Sequence, residues 1–356
     1  MLLLGNDSSS WADHSETNRS VGASTGAAAG GEPGPEAVIV PVVFGLIFVV
    51  GIVGNSLVMV VIGRVKHSGG VRSISPTNIF ILNLSVADLL FLLFCVPFHA
   101  TIYSLPEWVF GAFLCKFGHY FYTVSMLVSV FTLVAMSVDR YIAVVRSKKS
   151  ACVRSPRNAL VGLCVIWTLS LVWSVPVAQH QELTNHRIAL NSTFCWENWS
   201  GASKPAYKVS ILALGYVLPL LLICCCYTRV LCHLHKKMKN MSKKSERSKR
   251  KTAQTILLVV TAFTFCWLPH HIIAMWVEFG SFPLTDASFA FRIVAHCLSY
   301  GNSCVNPVLY AFLSENFRKA CRQVFTRHLP YPPPPNKKVV RFRMDNFSTT
   351  HSTTNI

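Results

Sequence analysis

One carboxylate stands alone in a long uncharged stretch: Asp88, within Asn83-Leu84-Ser85-Val86-Ala87-Asp88. Small polar residues recur in other uncharged stretches, at Asn55, Ser129, Asn302, Ser303 and Asn306. Oxygen donors around a single acid can hold a monovalent cation such as Na+, or close a hydrogen-bond network between helices. A second constellation is Asp139-Arg140-Tyr141, where an always-charged guanidinium follows an acid. A third is a set of helix faces. Trp267, His271, Ala274 and Glu278 follow at spacings of 4, 3 and 4, the period of one helix face. His119, Tyr122, Met126 and Ser129 do the same, as do Phe289, Arg292, His296, Ser299 and Ser303.

Imidazoles and aromatic rings in such an array suit aromatic and apolar side chains of a ligand. Glu278 offers an acceptor at the rim and Phe289 an aromatic wall, with Tyr122 nearer the floor beside Trp267. His271 is expected to touch the ligand; His270 is turned about 100° away from it. Each histidine can equally serve a hydrogen bond between helices. No acid lies in the outer half of the run holding His119, so a small cationic amine lacks its usual counter-charge. The run holding Phe289 has no lysine, which excludes a retinal Schiff base. Covalent catalysis has no candidate residues: there is no His-Glu-x-x-His, and adjacent His270 and His271 cannot easily face one metal.

These residues need elements to position them, and the charges show what those are. The chain has 356 residues, 52% hydrophobic and 13% charged, against about 25% charged in soluble domains. Uncharged runs extend from Glu36 to Arg64, Lys116 to Asp139, Arg157 to Glu182, Lys208 to Arg229, Lys251 to Glu278 and Arg292 to Glu315. Another lies between Arg72 and Glu107, broken only by Asp88. Each is long enough to cross a bilayer, which takes roughly 20 residues. The sequence thus predicts an all-α membrane protein, a bundle of seven transmembrane helices over 37–312. The seven runs do not form an internal repeat.

An odd number of spans puts the termini on opposite sides. With the N-terminus outside, 27 of the 33 Lys and Arg fall on the inner face, as the positive-inside rule requires. The formal charge of +18 therefore faces anionic lipid and cytosolic partners, not nucleic acid. The sequons at Asn6, Asn18, Asn191 and Asn198 fall outside and are expected to carry glycans. Those at Asn83, Asn240 and Asn346 fall in a span or inside. Of the 13 cysteines, Cys115 and Cys195 alone are well placed in the oxidising compartment, and a disulfide between them is expected. Met1–Leu4 is too short an apolar stretch for a signal peptide, so the first span is expected to act as insertion signal.

Residues 1–36, rich in Ser, Gly, Ala and Asn, are expected to form a disordered glycosylated outer tail. Phe317, Cys321 and Phe325 repeat at i, i+4, i+8 among basic residues. They predict a short amphipathic helix over 313–327 on the inner membrane surface. Cys321 is a palmitoylation candidate, or a plain cytosolic thiol. Residues 328–356 are expected to form a disordered cytoplasmic tail. Within it, Pro330 to Pro335 is a stiff spacer or a site for Pro-reading domains, and Ser348 to Thr354 is phosphorylatable.

The ordered set Gly54-Asn55, Ala87-Asp88, Asp139-Arg140-Tyr141, Trp167, Pro219 with Tyr227, Cys266-Trp267-Leu268-Pro269, and Asn306-Pro307-Val308-Leu309-Tyr310 resembles the rhodopsin-like G-protein-coupled receptors, over residues 37–325. Within them, Trp267 to Ile273, Phe282-Pro283-Leu284-Thr285 and the inner segment KKMKNMSKKSERSKRKTAQT look like the galanin receptors, type 1 or a close paralogue. One departure is Ala274, where the type 1 pattern has a third histidine.

The resemblance implies a multi-pass plasma-membrane receptor that binds the neuropeptide galanin and activates a heterotrimeric G protein, of the inhibitory class that lowers cyclic AMP. It implies ligand contacts at His271, Phe289, Glu278, Tyr122, His270 and Trp267. Coupling is implied at Asp139, Arg140, Tyr141, Tyr227, Asn306, Pro307 and Tyr310. It also implies an allosteric Na+ at Asp88, Ser129, Asn302, Ser303 and Asn306, and receptor kinases and arrestin at the Ser/Thr tail. Many relatives hold Arg140 with an acid at the start of the sixth span; here that stretch is Lys249-Arg250-Lys251.

Other classes fit less well. A receptor for another neuropeptide is the nearest alternative, although a somatostatin receptor would carry an acid in the outer third span. A transporter would show two related halves and broken helices.

Overall fold

The computed structural model describes residues 36–68, 75–105, 107–146, 150, 152–185, 193–199, 201–237, 243–283, 285–313, 317–318 and 321–322. Seven long helices follow in chain order: α1 (Glu36–Ser68), α2 (Pro76–Ser104), α3 (Gly111–Val145), α4 (Pro156–Gln179), α5, α6 (Lys243–Phe279) and α7 (Asp286–Leu313). Helix α5 is composite: Ser203–Leu212, a wide π-helical turn over Ala213–Val217, then Leu218–Lys237. Among the described residues, six helices are long and apolar enough to cross a membrane.

Local sequence explains where two of the helices begin. Ser75 Oγ accepts the Asn78 N–H, and Pro76 follows it; Ser155 Oγ accepts the Asn158 N–H, and Pro156 follows. A hydroxyl cap then satisfies an orphan donor, and a proline in the first turn loses no helical bond. The wide turn of α5 has a similar cause. Pro219 has no N–H, and its ring crowds the carbonyl of residue i−4, which is Gly215. That carbonyl lies inside the widened turn, where one extra residue relieves the clash.

The bundle inverts the soluble pattern. Helix α3 is its buried centre, with Val124 to Val130 all enclosed, and it packs on α2, α4 and α5. Helix α1 packs on α2 and α7, and α6 packs on α7. Large apolar residues point outward instead, such as Val38, Leu46, Val53, Leu160, Val165 and Val172, as lipid solvent demands. With no hydrophobic drive between helices in lipid, close packing at small residues holds them together. Gly118 is such a residue: a Cβ there would come within 2.3 Å of the Phe98 ring.

The exterior adds an element that the sequence did not announce. Strands β1 (Gln181–Asn185) and β2 (Thr193–Glu197) form an antiparallel hairpin, with Leu183 opposite Cys195. The Cys115–Cys195 disulfide pins β2 to the first turns of α3. The Trp108 N–H donates to Thr193 O at 2.8 Å, and its ring is buried against Phe98 and the disulfide. At the inner end, residues 317–318 and 321–322 are helical, with Phe317 and Cys321 packed on the core. The rest of the expected 313–327 helix beyond Leu313, and both tails apart from Glu36, lie outside the described residues.

Candidate functional site

At the outer end, α2, α3, α6 and α7 bring rings together around Tyr122. Its hydroxyl donates to Ser299 Oγ at 2.9 Å and lies 3.4 Å from His270 Nδ1. Trp267 sits below, 5.7 Å from Tyr122, 5.8 Å from His270 and 6.2 Å from Phe263. His296 lies 5.9 Å from His270 and 4.3 Å from His99. Tyr300 OH donates to Cys95 O at 2.8 Å and meets His99 Nδ1 at 2.6 Å. Helix α2 thus contributes His99, and Tyr103, whose ring is 5.7 Å from Phe289. The ligand set read from sequence omitted both; the spacing of Phe91, Cys95, His99 and Tyr103 by fours was the available signal.

His270 and His271 face different neighbours. His270 points to the Tyr122–Trp267 centre, whereas His271 packs on Tyr216 of α5, ring centroids 5.0 Å apart. His271 is only 3% exposed. Its Nε2, His296 Nδ1 and Trp267 Nε1 are buried with no hydrogen-bond partner among the described residues. The rim carries charge. Lys204 Nζ is 3.5 Å from Glu278 Oε2, and Lys208 Nζ is 2.8 Å from Glu197 Oε1. Burial works to raise the Glu197 carboxyl, but Lys208, His119 and Lys204 outweigh it and hold the group below its ordinary range. Arg292 lies over the Phe282 ring at 4.6 Å. Asn198 is exposed, its amide donating to Glu182 Oε2 at 2.9 Å; Asn6, Asn18 and Asn191 lie outside the described residues.

In mid-membrane, Asp88 is 1% exposed and accepts from Ser303 Oγ at 2.8 Å and Asn306 Nδ2 at 2.9 Å. Ser129 and Asn302 are buried as well. Asn55 Nδ2 donates to Gly51 O and Ser303 O, each at 2.9 Å, tying α1 to α7. Asn83 donates to Thr132 Oγ1 at 3.0 Å and accepts from Trp167 Nε1 at 2.9 Å, joining α2, α3 and α4. A buried carboxylate needs a proton or a counter-charge. Asp88, Ser129, Asn302, Ser303 and Asn306 carry oxygens, the hard donor type that suits a small monovalent cation, and no cation-bearing side chain pairs with Asp88 among the described residues.

The inner end is charged. Asp139 accepts two bonds from one guanidinium, Arg154 Nε at 2.6 Å and Nη2 at 3.1 Å. Thr77 Oγ1 donates to Asp139 Oδ2 at 2.9 Å and accepts from Arg140 Nη2. The direct Arg140–Asp139 approach is longer, 3.9 Å. So Arg154, just before α4, is the acid's main partner, a residue outside the expected coupling set. Tyr141 is half-buried and Tyr227 buried. Pro307 packs on Gly54, where a Cβ would meet its ring at 3.0 Å. Tyr310 lies on α7, with its side chain outside the described residues, as are those of Lys249, Arg250 and Lys251.

This geometry can recognise a ligand outside and relay its effect inward through α3, α6 and α7. The family model of the rhodopsin family of seven-transmembrane receptors matches residues 54–310. The chain is 62% identical to the galanin receptor type 1 of Homo sapiens over 305 residues, 84% of this chain and 86% of that one. Against the galanin receptor type 1 of Mus musculus it is 59% identical, over 90% of this chain and 91% of the other. The galanin receptor type 2 of Homo sapiens is 45% identical over 85% of this chain and 77% of its own. On these matches and the seven-helix architecture, the chain belongs to the rhodopsin family of seven-transmembrane receptors.

Proposed function

We propose that this multi-pass membrane receptor binds galanin at its outer end and activates a heterotrimeric G protein of the inhibitory class at its inner end. The observation that carries the reading is the 62% identity to a galanin receptor type 1 across 84% of the chain. The outer geometry supports it. A ring of Tyr122, Trp267, His270 and His296, continued by Tyr103 and Phe289, suits a peptide that inserts aromatic and apolar side chains. Ala274 makes this lining less polar than the type 1 pattern.

Binding shifts an existing equilibrium between two helix packings. A ligand side chain against His270 or His271 reaches Trp267 through one turn of α6, and α6 transmits the change inward. In the active packing, Arg140, Tyr227 and Tyr310 face the G protein. Na+ at Asp88, favouring the inactive packing, opposes agonist binding by linkage. Asn198 and the sequons of the outer segment carry glycans, and Cys321 carries palmitate. Receptor kinases and arrestin act at the Ser348–Thr354 tail.

The test is cyclic AMP in cells expressing the receptor, challenged with a panel of neuropeptides that includes galanin. A fall in stimulated cyclic AMP with galanin is expected. Silence to galanin beside a response to another peptide overturns the ligand assignment.

A further inference from the structure

Glu278 is the acceptor that α6 offers at the mouth of the bundle, but its carboxylate is already taken. The Lys204 ammonium, from the first turn of α5, lies 3.5 Å away, with the side chains 17% and 7% exposed respectively. One turn further along α5, Lys208 holds Glu197 of β2 at 2.8 Å. Lys204 also adds to the positive field at Glu197. Two lysines spaced i, i+4 share one helix face. They therefore strap the hairpin and α6 to α5 on one side of the vestibule.

Such a pair affects any ligand that needs Glu278. A carboxylate only accepts, so its natural ligand partner is a cation or an N–H. The outer side carries ten acids against six bases, a field that draws positive groups inward. Every unmodified peptide has one at hand, its amino-terminal ammonium. That group reaches Glu278 only by displacing Lys204 or by tolerating a second cation beside it.

We propose that Lys204 is a built-in competitor for Glu278 and sets the receptor's selectivity at the amino terminus of its peptide ligand. The idea rests on the reading of the outer site as a peptide pocket. Its physical content is a difference between states. In the free receptor Lys204 neutralises Glu278, so an arriving ammonium gains only the surplus. Without Lys204 the carboxylate waits unpaired and the gain is larger. A peptide with a blocked amino terminus offers no charge and is indifferent to the lysine. Lys204 is thus a positioning residue that acts through Glu278.

The experiment measures competition binding of galanin with a free amino terminus and of the same peptide acetylated there. The receptors are wild type, Lys204→Met, Lys204→Arg, Glu278→Gln and the Lys204→Met/Glu278→Gln double variant, matched for surface expression. Lys204→Met should bind the free-amine peptide about fivefold more tightly, the scale of a partly exposed ion pair, with the acetylated peptide unchanged. Lys204→Arg should behave as wild type, and Glu278→Gln should erase the effect of Lys204→Met. Equal or weaker binding of the free-amine peptide to Lys204→Met overturns the competition, as does an equal gain by the acetylated one. Absence of any galanin binding to wild type instead removes the peptide-pocket reading, and this proposal with it.

Discussion

At the inner end, both oxygens of Asp139 are engaged by Arg154, and Thr77 links the acid to Arg140. At the outer end, His271 Nε2, His296 Nδ1 and Trp267 Nε1 are buried without a partner among the described residues. Leaving a buried polar atom unpaired costs about 1–3 kcal/mol. The outer end therefore gains stability from a ligand that supplies the missing partners. At Asp139, by contrast, an effector must exchange bonds that already exist.

The sharpest test of this contrast is Asp139→Ala. Removing one member of a buried charge cluster costs about 3–5 kcal/mol, and here it leaves Arg154 and Arg140 without their shared acid. Thermal unfolding of detergent-purified receptor should show a large drop in Tm, with a smaller drop for Arg154→Ala. Wild-type Tm values for both would mean that the inner cluster contributes little.

His271→Phe should do the reverse. It deletes an orphan nitrogen, so the free receptor should unfold no earlier than wild type. Agonist affinity should fall by about 2 kcal/mol, some thirtyfold. Phe289→Ala should show a comparable loss in the same radioligand assay. Unchanged affinity in both would place the peptide elsewhere and make these side chains packing.

Asp88→Asn lies between the two ends. The wild type should bind agonist less tightly as NaCl replaces a large organic cation at constant ionic strength, by about fivefold or more. The variant should lose that dependence. If the wild type shows none, the cluster is a structural network. Glu107→Gln, a change at the rim, should shift affinity by less than about twofold.

Much of this architecture can be read from the residues. Seven uncharged runs, the lysine and arginine asymmetry and the two outer cysteines lead to the bundle, its orientation and the Cys115–Cys195 bond. The ordered markers from Asn55 to Pro307 lead to the family. Other features escape for physical reasons. Arg154 meets Asp139 from 15 residues away in sequence, and no local pattern encodes that approach. Lys204 and Glu278 pair across two helices far apart in sequence. The periodicity separates His270 from His271 by about 100° but does not say which one looks at Tyr122; neighbouring helices set that rotation. The β1–β2 hairpin consists of two five-residue strands outside the bilayer, too short for alternation to stand out.

The wide turn at Ala213–Val217 carries a further consequence, in the language of gearing. It inserts about one residue beyond the α-helical count, so the two lengths of α5 are keyed to each other like shafts joined at a set angle. The outer length aims Lys204 and Lys208 at Glu278 and Glu197; the inner length buries Tyr227 near the cytoplasmic end. Deleting a single residue from this turn would keep the helix apolar and long enough to span. Such a deletion restores an ordinary α-turn and leaves both lengths in register, whereas one taken from the α-helical stretch between Lys208 and the turn rotates the outer length by about 100° and draws it about 1.5 Å inward. Lys208 would swing off the hairpin while the inner end stayed in register. Ligand recognition and effector coupling on this helix are thus free to change independently, through one residue of length.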